Sequence, residues 1–204
     1  MAKLRVLSVL LSVACVAVFS RAQDQQANRC VFFPNQEVRV TNLALPTAPP
    51  KDTTAVIATE IEAILHDSAL CCGKDSALGD FVLSEPRSLK ELAAKLQGRH
   101  LLSDGRPIQV NAEYDPQTAI SAGLISILQE QRAMLFEWRS HVYVLYGAIF
   151  GEERCVSGAR HYSIAKLLLL DPRYSDQRRE TVFNRETDDL SKVQGLLRLS
   201  VAPQ

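Results

Sequence analysis

"VYVLYGAIFGEERCVSGARHYSIAKLLLLDPR", residues 142–173, decides how this chain is read. It holds two apolar runs, 142–150 and 162–170, rich in β-branched, aromatic and leucine residues. A polar stretch, 151–161, separates them. Two such runs about a turn predict an antiparallel hairpin. If the hairpin is symmetric, His141 at the mouth of the first strand stands opposite Asp171 at the end of the second. Opposed residues share a face, so the carboxylate would reach the imidazole. Pro172 cannot donate to a ladder and stops the strand beside the acid.

The flanking sequence adds elements on both sides. "AMLFEW" (133–138) is a third strong strand candidate, and "RPIQVNAEY" (106–114) and "EVRVTNLAL" (37–45) read as strands. "ETVFN" (180–184) is a strand candidate, and 188–201 reads as a short helix followed by a strand. Helical signals lie mostly upstream of the hairpin. Val56, Ile57, Ile61, Ile64 and Leu65 recur at helical spacing behind a threonine cap, and 74–83 reads as a second short helix. Ser88 and Glu91 form a capping box ahead of Leu89, Leu92, Ala93 and Leu96, with Gly98 at the C-cap position. Asp115 and Pro116 read as the N-cap and first residue of a helix through 117–132. Helices first and strands after predict an α+β fold, with N-terminal helices packed on a C-terminal antiparallel sheet.

The chain has 204 residues, enough for one domain of ordinary size. Lys3 and Arg5 precede an apolar run from Val6 to Phe19, and Ser20-Arg21-Ala22 offers small residues at a cleavage site. Residues 1–22 therefore read as a secretory signal peptide cleaved near Ala22. The expected localisation is secreted or periplasmic. Residues 23–50 read as an N-terminal segment with one strand, and 51–204 as the α+β domain. No later run is long and apolar enough to be an integral membrane segment. The leader carries three of the 23 basic residues and no acid. The remainder is therefore net acidic, near −3, and no nucleic-acid partner is expected.

Cleavage would also remove Cys15, leaving Cys30, Cys71, Cys72 and Cys155, an even number for an oxidising compartment. Two disulfides are the plain expectation. The adjacent pair admits another reading. Cys72 stands just before Gly73 and a predicted helix start, where unpaired N–H groups and the helix dipole favour a thiolate. Cys71 would then be free to bridge, most plausibly to Cys30. Adjacent cysteines lack the two-residue spacer of a zinc site, so neither metal nor cofactor is expected.

"CCGKDSAL", then "SLKELAAKLQG", "LISILQEQRAMLFEW", "SHVYVLYGAIF" and "LLLLDPR" follow one another over residues 68–173. This order resembles the papain-like cysteine peptidase superfamily, and is nearest to its compact bacterial branch, similar to bacteriocin-processing peptidases. The resemblance implies a papain-like fold. It implies a thiol hydrolase of peptide or amide bonds with Cys72 as nucleophile, His141 as base and Asp171 as its orienter. The family places a Gln a few residues before the cysteine; here His66 stands six residues before Cys72 and Leu65 six before Cys71. The alternative is a non-catalytic, disulfide-stabilised secreted binding or interaction domain. Either reading takes a peptide or protein as substrate or ligand.

Overall fold

The 142–150 run forms the middle of a longer strand, β5 (His141–Cys155). It lies in a computed structural model that describes residues 29–41, 43, 88–101, 105, 107–116, 122–171, 173–174 and 179–203. The expected signal peptide, the helices expected at 55–70 and 74–83, and the cysteine pair lie outside the described residues. In chain order the elements are β1 (Cys30–Arg39), α1 (Leu89–Leu96), β2 (Gly98–Leu101), β3 (Pro107–Pro116) and α2 (Ala122–Gln129). There follow β4 (Met134–Trp138), β5, β6 (Arg160–Leu170), β7 (Glu180–Asn184), a 3₁₀ turn (Leu190–Lys192) and β8 (Val193–Pro203).

All eight strands join one antiparallel sheet in the order β2-β3-β8-β4-β5-β6-β7, with β1 added on β5. This corrects the expected α+β, papain-like arrangement. Strands dominate the described fold, and the two α-helices in it are 8 residues each. They do not precede the sheet but fall between its strands. The reason is visible in the pairing. The last strand, β8, enters between β3 and β4 and ties the early strands to the late ones.

β5 pairs with β6 along one edge from Val144 to Arg154. The other edge is shared: β4 takes His141–Leu145 and β1 takes Gly147–Cys155. Backbone N–H and C=O groups in a buried strand need partners, and two strands laid end to end supply them. Val144, Leu145, Ala148 and Phe150 are buried, as are Leu167, Leu168, Leu169 and Leu170 on β6. A strand buried on both faces needs no polar alternation, which explains the unbroken leucine run. Each buried leucine contributes roughly 1.5–3 kcal/mol. The two helices add cover. Leu124, Ile125 and Leu128 of α2 are buried, as are Leu89, Leu92, Ala93 and Leu96 of α1. The Ser88 hydroxyl accepts from the Glu91 N–H at 3.2 Å, so the cap at the start of α1 forms.

Several boundaries differ from the sequence reading. The polar stretch 151–161 is not a long loop. β5 runs on to Cys155, β6 starts at Arg160, and the turn between them is closed by Cys155 N–H on the Ala159 carbonyl at 2.9 Å. β1 begins at Cys30 rather than at residue 37, because Cys30–Phe33 pair with Glu152–Cys155. A bulge at Pro34-Asn35, with Asn35 at φ 54°, lets the strand resume at Gln36. Cys30 is bonded to Cys155, across 125 residues of chain, and not to Cys71. Asp115 and Pro116 end β3 rather than capping a helix, and the Asp115 carboxylate is paired with Arg198 on β8.

Gly195 marks a close approach between β3 and β8. A Cβ there would lie 2.6 Å from the Tyr114 ring and 2.7 Å from the Asp115 carbonyl. Backbone cannot yield as a flexible side chain does. We expect Gly195→Ala to destabilise the protein by about 1–3 kcal/mol. Urea unfolding should show a lower midpoint at unchanged slope. A midpoint equal to that of the parent would mean that β3 and β8 have room the structure does not show.

Candidate functional site

His141 and Asp171 sit at the same end of the β5–β6 hairpin. The route to His141 is a two-residue turn. Trp138 pairs with His141, and the intervening Arg139 and Ser140 both take positive φ, 54° and 60°. That is the twist-matched geometry of a tight hairpin, here made by residues that carry a Cβ and are strained by it. Three contacts hold Arg139 there. Its N–H donates to the Lys192 carbonyl at 2.9 Å. Its guanidinium lies 4.2 Å above the centre of the Trp138 ring and pairs with Asp188 at 3.1 Å.

Trp138 is buried, edge-on to Phe183 at 5.3 Å and tilted against Tyr143 at 6.0 Å. Its indole N–H meets no acceptor among the described residues. His141 is exposed, and its ring stacks on Tyr143 at 6.5 Å. Among the described residues it makes no hydrogen bond or ion pair.

Asp171 is 4% exposed and fully engaged. Arg173 donates from Nε to Oδ1 at 2.7 Å and from Nη2 to Oδ2, and its backbone N–H reaches Oδ1 at 3.1 Å. This is a two-pronged, charge-assisted fork on a buried carboxylate. The same carboxylate acts on Tyr143. Burial first, and the charge of Asp171 second, push the Tyr143 phenol above its ordinary value, with Arg173 working against them. Tyr146 is pushed up mainly by burial as well, with Glu180 adding to it. The fold thus favours both neutral phenols. They support stability below about pH 10, and that support is lost as pH rises through their raised values.

Sequence reasoning places His141 directly opposite Asp171. The observed register pairs Val144 with Leu170, and one step further sets Asp171 across from Tyr143. The shift is two residues. Its cause is the short turn at 156–159, with Gly158 at φ 85°, which centres the hairpin later than a loop over 151–161 would. Two bulges along β5 and β6 offset each other and leave that shift intact. His141 and Asp171 therefore flank Tyr143, one along the strand and one across from it, and no hydrogen bond joins them. Cys72, the third member of the expected triad, lies outside the described residues.

Arg173 is the residue the sequence reading missed. Its signal was the spacing Asp-Pro-Arg, which lets a side chain two residues on fold back over the acid. Among the described residues no group of three His, Cys, Asp or Glu gathers as a metal site, and no helix is long and apolar enough to cross a membrane.

The Arg173 fork should be structural. Arg173→Gln leaves a buried carboxylate without its charged partner, and we expect a loss of about 1–3 kcal/mol. It also removes the charge that opposes the Tyr143 shift. The Tyr143 phenolate should then appear at still higher pH in an ultraviolet titration. Unchanged stability in the variant would show that Asp171 does not depend on Arg173. No family model, no curated protein and no solved structure matches this chain.

Proposed function

We propose that this chain is a non-catalytic, disulfide-stabilised binding domain of an oxidising compartment, with a peptide or protein as its ligand. One observation carries the reading: the Asp171 carboxylate is spent on Arg173. A thiol hydrolase needs an acceptor that holds its imidazole in one tautomer and steadies the imidazolium. Asp171, the acid nearest that role in the sequence, offers both oxygens to a guanidinium instead. His141 is left as an exposed ring stacked on a tyrosine. Such a ring, beside the exposed Arg139 guanidinium, can accept or donate hydrogen bonds and stack on a ligand without doing chemistry.

The Cys30–Cys155 bond supports the compartment. Disulfides persist where the surroundings are oxidising, and the sequence begins with a signal-like leader. The bond closes a loop long enough to stabilise by roughly 4–5 kcal/mol in the chain-entropy account.

A hydrolysis assay separates this reading from the papain-like one. Protein recovered from an exporting host would be incubated with a complex peptide mixture, and new termini read by mass spectrometry. Wild type, Cys72→Ser and His141→Ala should give the same background. Cleavage by wild type that disappears in both variants would overturn the binding reading and restore the thiol hydrolase.

A further inference from the structure

Six large apolar side chains are exposed among the described residues, and three of them share one place. Val31, Phe32 and Val156 are 61%, 59% and 72% exposed. They surround the Cys30–Cys155 bond at the end of the arm formed by β1, β5 and β6. No other described strand pairs there, since β4 reaches only Leu145 of β5 and β7 only Lys166 of β6.

Val31 and Phe32 are neighbours in an extended strand, so they point to opposite faces of the arm. Val156 stands in the turn at its very end, its N–H bonded to the Arg29 carbonyl at 2.9 Å. The tip therefore carries an exposed apolar side chain on each face, Val31 beside Arg154 and Phe32 beside Glu153, and Val156 at its end. A protein seated on one face would leave the other face in water. A medium that surrounds the tip covers all three side chains. The disulfide keeps them in place, where a free N-terminal strand would fray.

The charges beside them are chiefly cationic. Arg154 and Arg160 lie 2.7 and 3.7 Å from the single carboxylate of Glu152, so two guanidinium groups share one buried acid. Arg29 adds an exposed cation. Glu153, which pairs across the strands with His161, offsets one charge. A net positive tip remains on a chain that is net acidic beyond residue 22. Two tips facing each other would oppose these cations, which argues against a second copy as the occupant.

We propose that this tip is an interfacial anchor for an anionic lipid surface. Phe32, Val31 and Val156 enter the headgroup–acyl boundary, and Arg29, Arg154 and Arg160 stay at the level of the phosphates. The acidic remainder is held away, so the domain is oriented with its His141 end outward. The anchor stands whether or not that end is catalytic.

Vesicle co-sedimentation tests it. The protein from an exporting host would be mixed with phosphatidylcholine vesicles and with vesicles containing phosphatidylglycerol as well. Phe32→Ser/Val156→Ser and Arg29→Gln would be compared with wild type, all sharing one N-terminus. Melting temperature and an intact Cys30–Cys155 bond would certify each fold. Wild type should partition onto the anionic vesicles and much less onto the neutral ones. The double variant should bind at least about tenfold more weakly, since it removes two of three inserting groups. Arg29→Gln should lower anionic binding about fivefold, as expected for one basic residue at such a surface. No partitioning onto anionic vesicles, or partitioning that the folded double variant retains, would overturn the proposal. The first outcome would leave a protein partner for the tip.

Discussion

The fold depends on giving one long strand a partner on both edges. β5 spans fifteen residues, and its middle lies in the most deeply buried part of the sheet. Every N–H and C=O there must be paired, since burying one unpaired costs more than most single contacts return. β6 covers one edge, while β4 and β1 meet end to end along the other. At Gly147 the second edge meets backbone closely, because a Cβ there would lie 2.7 Å from the Val38 carbonyl. The close docking of β1 is thus written into a residue without a side chain. The cross-strand disulfide then fastens the far end, where the apolar core has given out and Glu152, Glu153 and Arg154 line the strand.

The same hairpin sets the chemistry at its two ends. At one end a strained Arg139-Ser140 turn, stacked on Trp138, presents His141, while Arg173 closes over Asp171. At the other end Arg154 hydrogen bonds to Glu152 and holds that carboxylate below the usual range. In both places an arginine consumes a buried acid. That pattern fixes the shape of each end, and at the His141 end it commits both Asp171 oxygens to Arg173.

How far the sequence reveals this depends on sequence distance. The apolar runs at 142–150 and 162–170 are local, and their pairing was legible, as was the cap at Ser88. β1 was not. Residues 23–35 read as a polar tail leading into the domain, and only a partner 125 residues away makes the stretch from Cys30 a strand. The stretch 151–161 misled for a related reason. Charged residues suit a loop equally well as the solvent end of a strand whose neighbours are distant in sequence. The direct pairing of His141 with Asp171 was lost to register. His141 and Asp171 were correctly located at strand ends, but a turn only four residues long moved the acid opposite Tyr143. The arginine that captures the acid lies two residues downstream, and the Asp-Pro-Arg spacing was its one signal.

The fold rests on β1 being stapled to β5 by Cys30–Cys155, and peptide mapping without reduction reads that directly. Protein from an exporting host would be alkylated, digested and searched for linked peptides. We expect one containing Cys30 joined to one containing Cys155. A link from Cys30 or Cys155 to Cys71 or Cys72 would contradict the account, because β1 could not then lie along β5 as the fold requires.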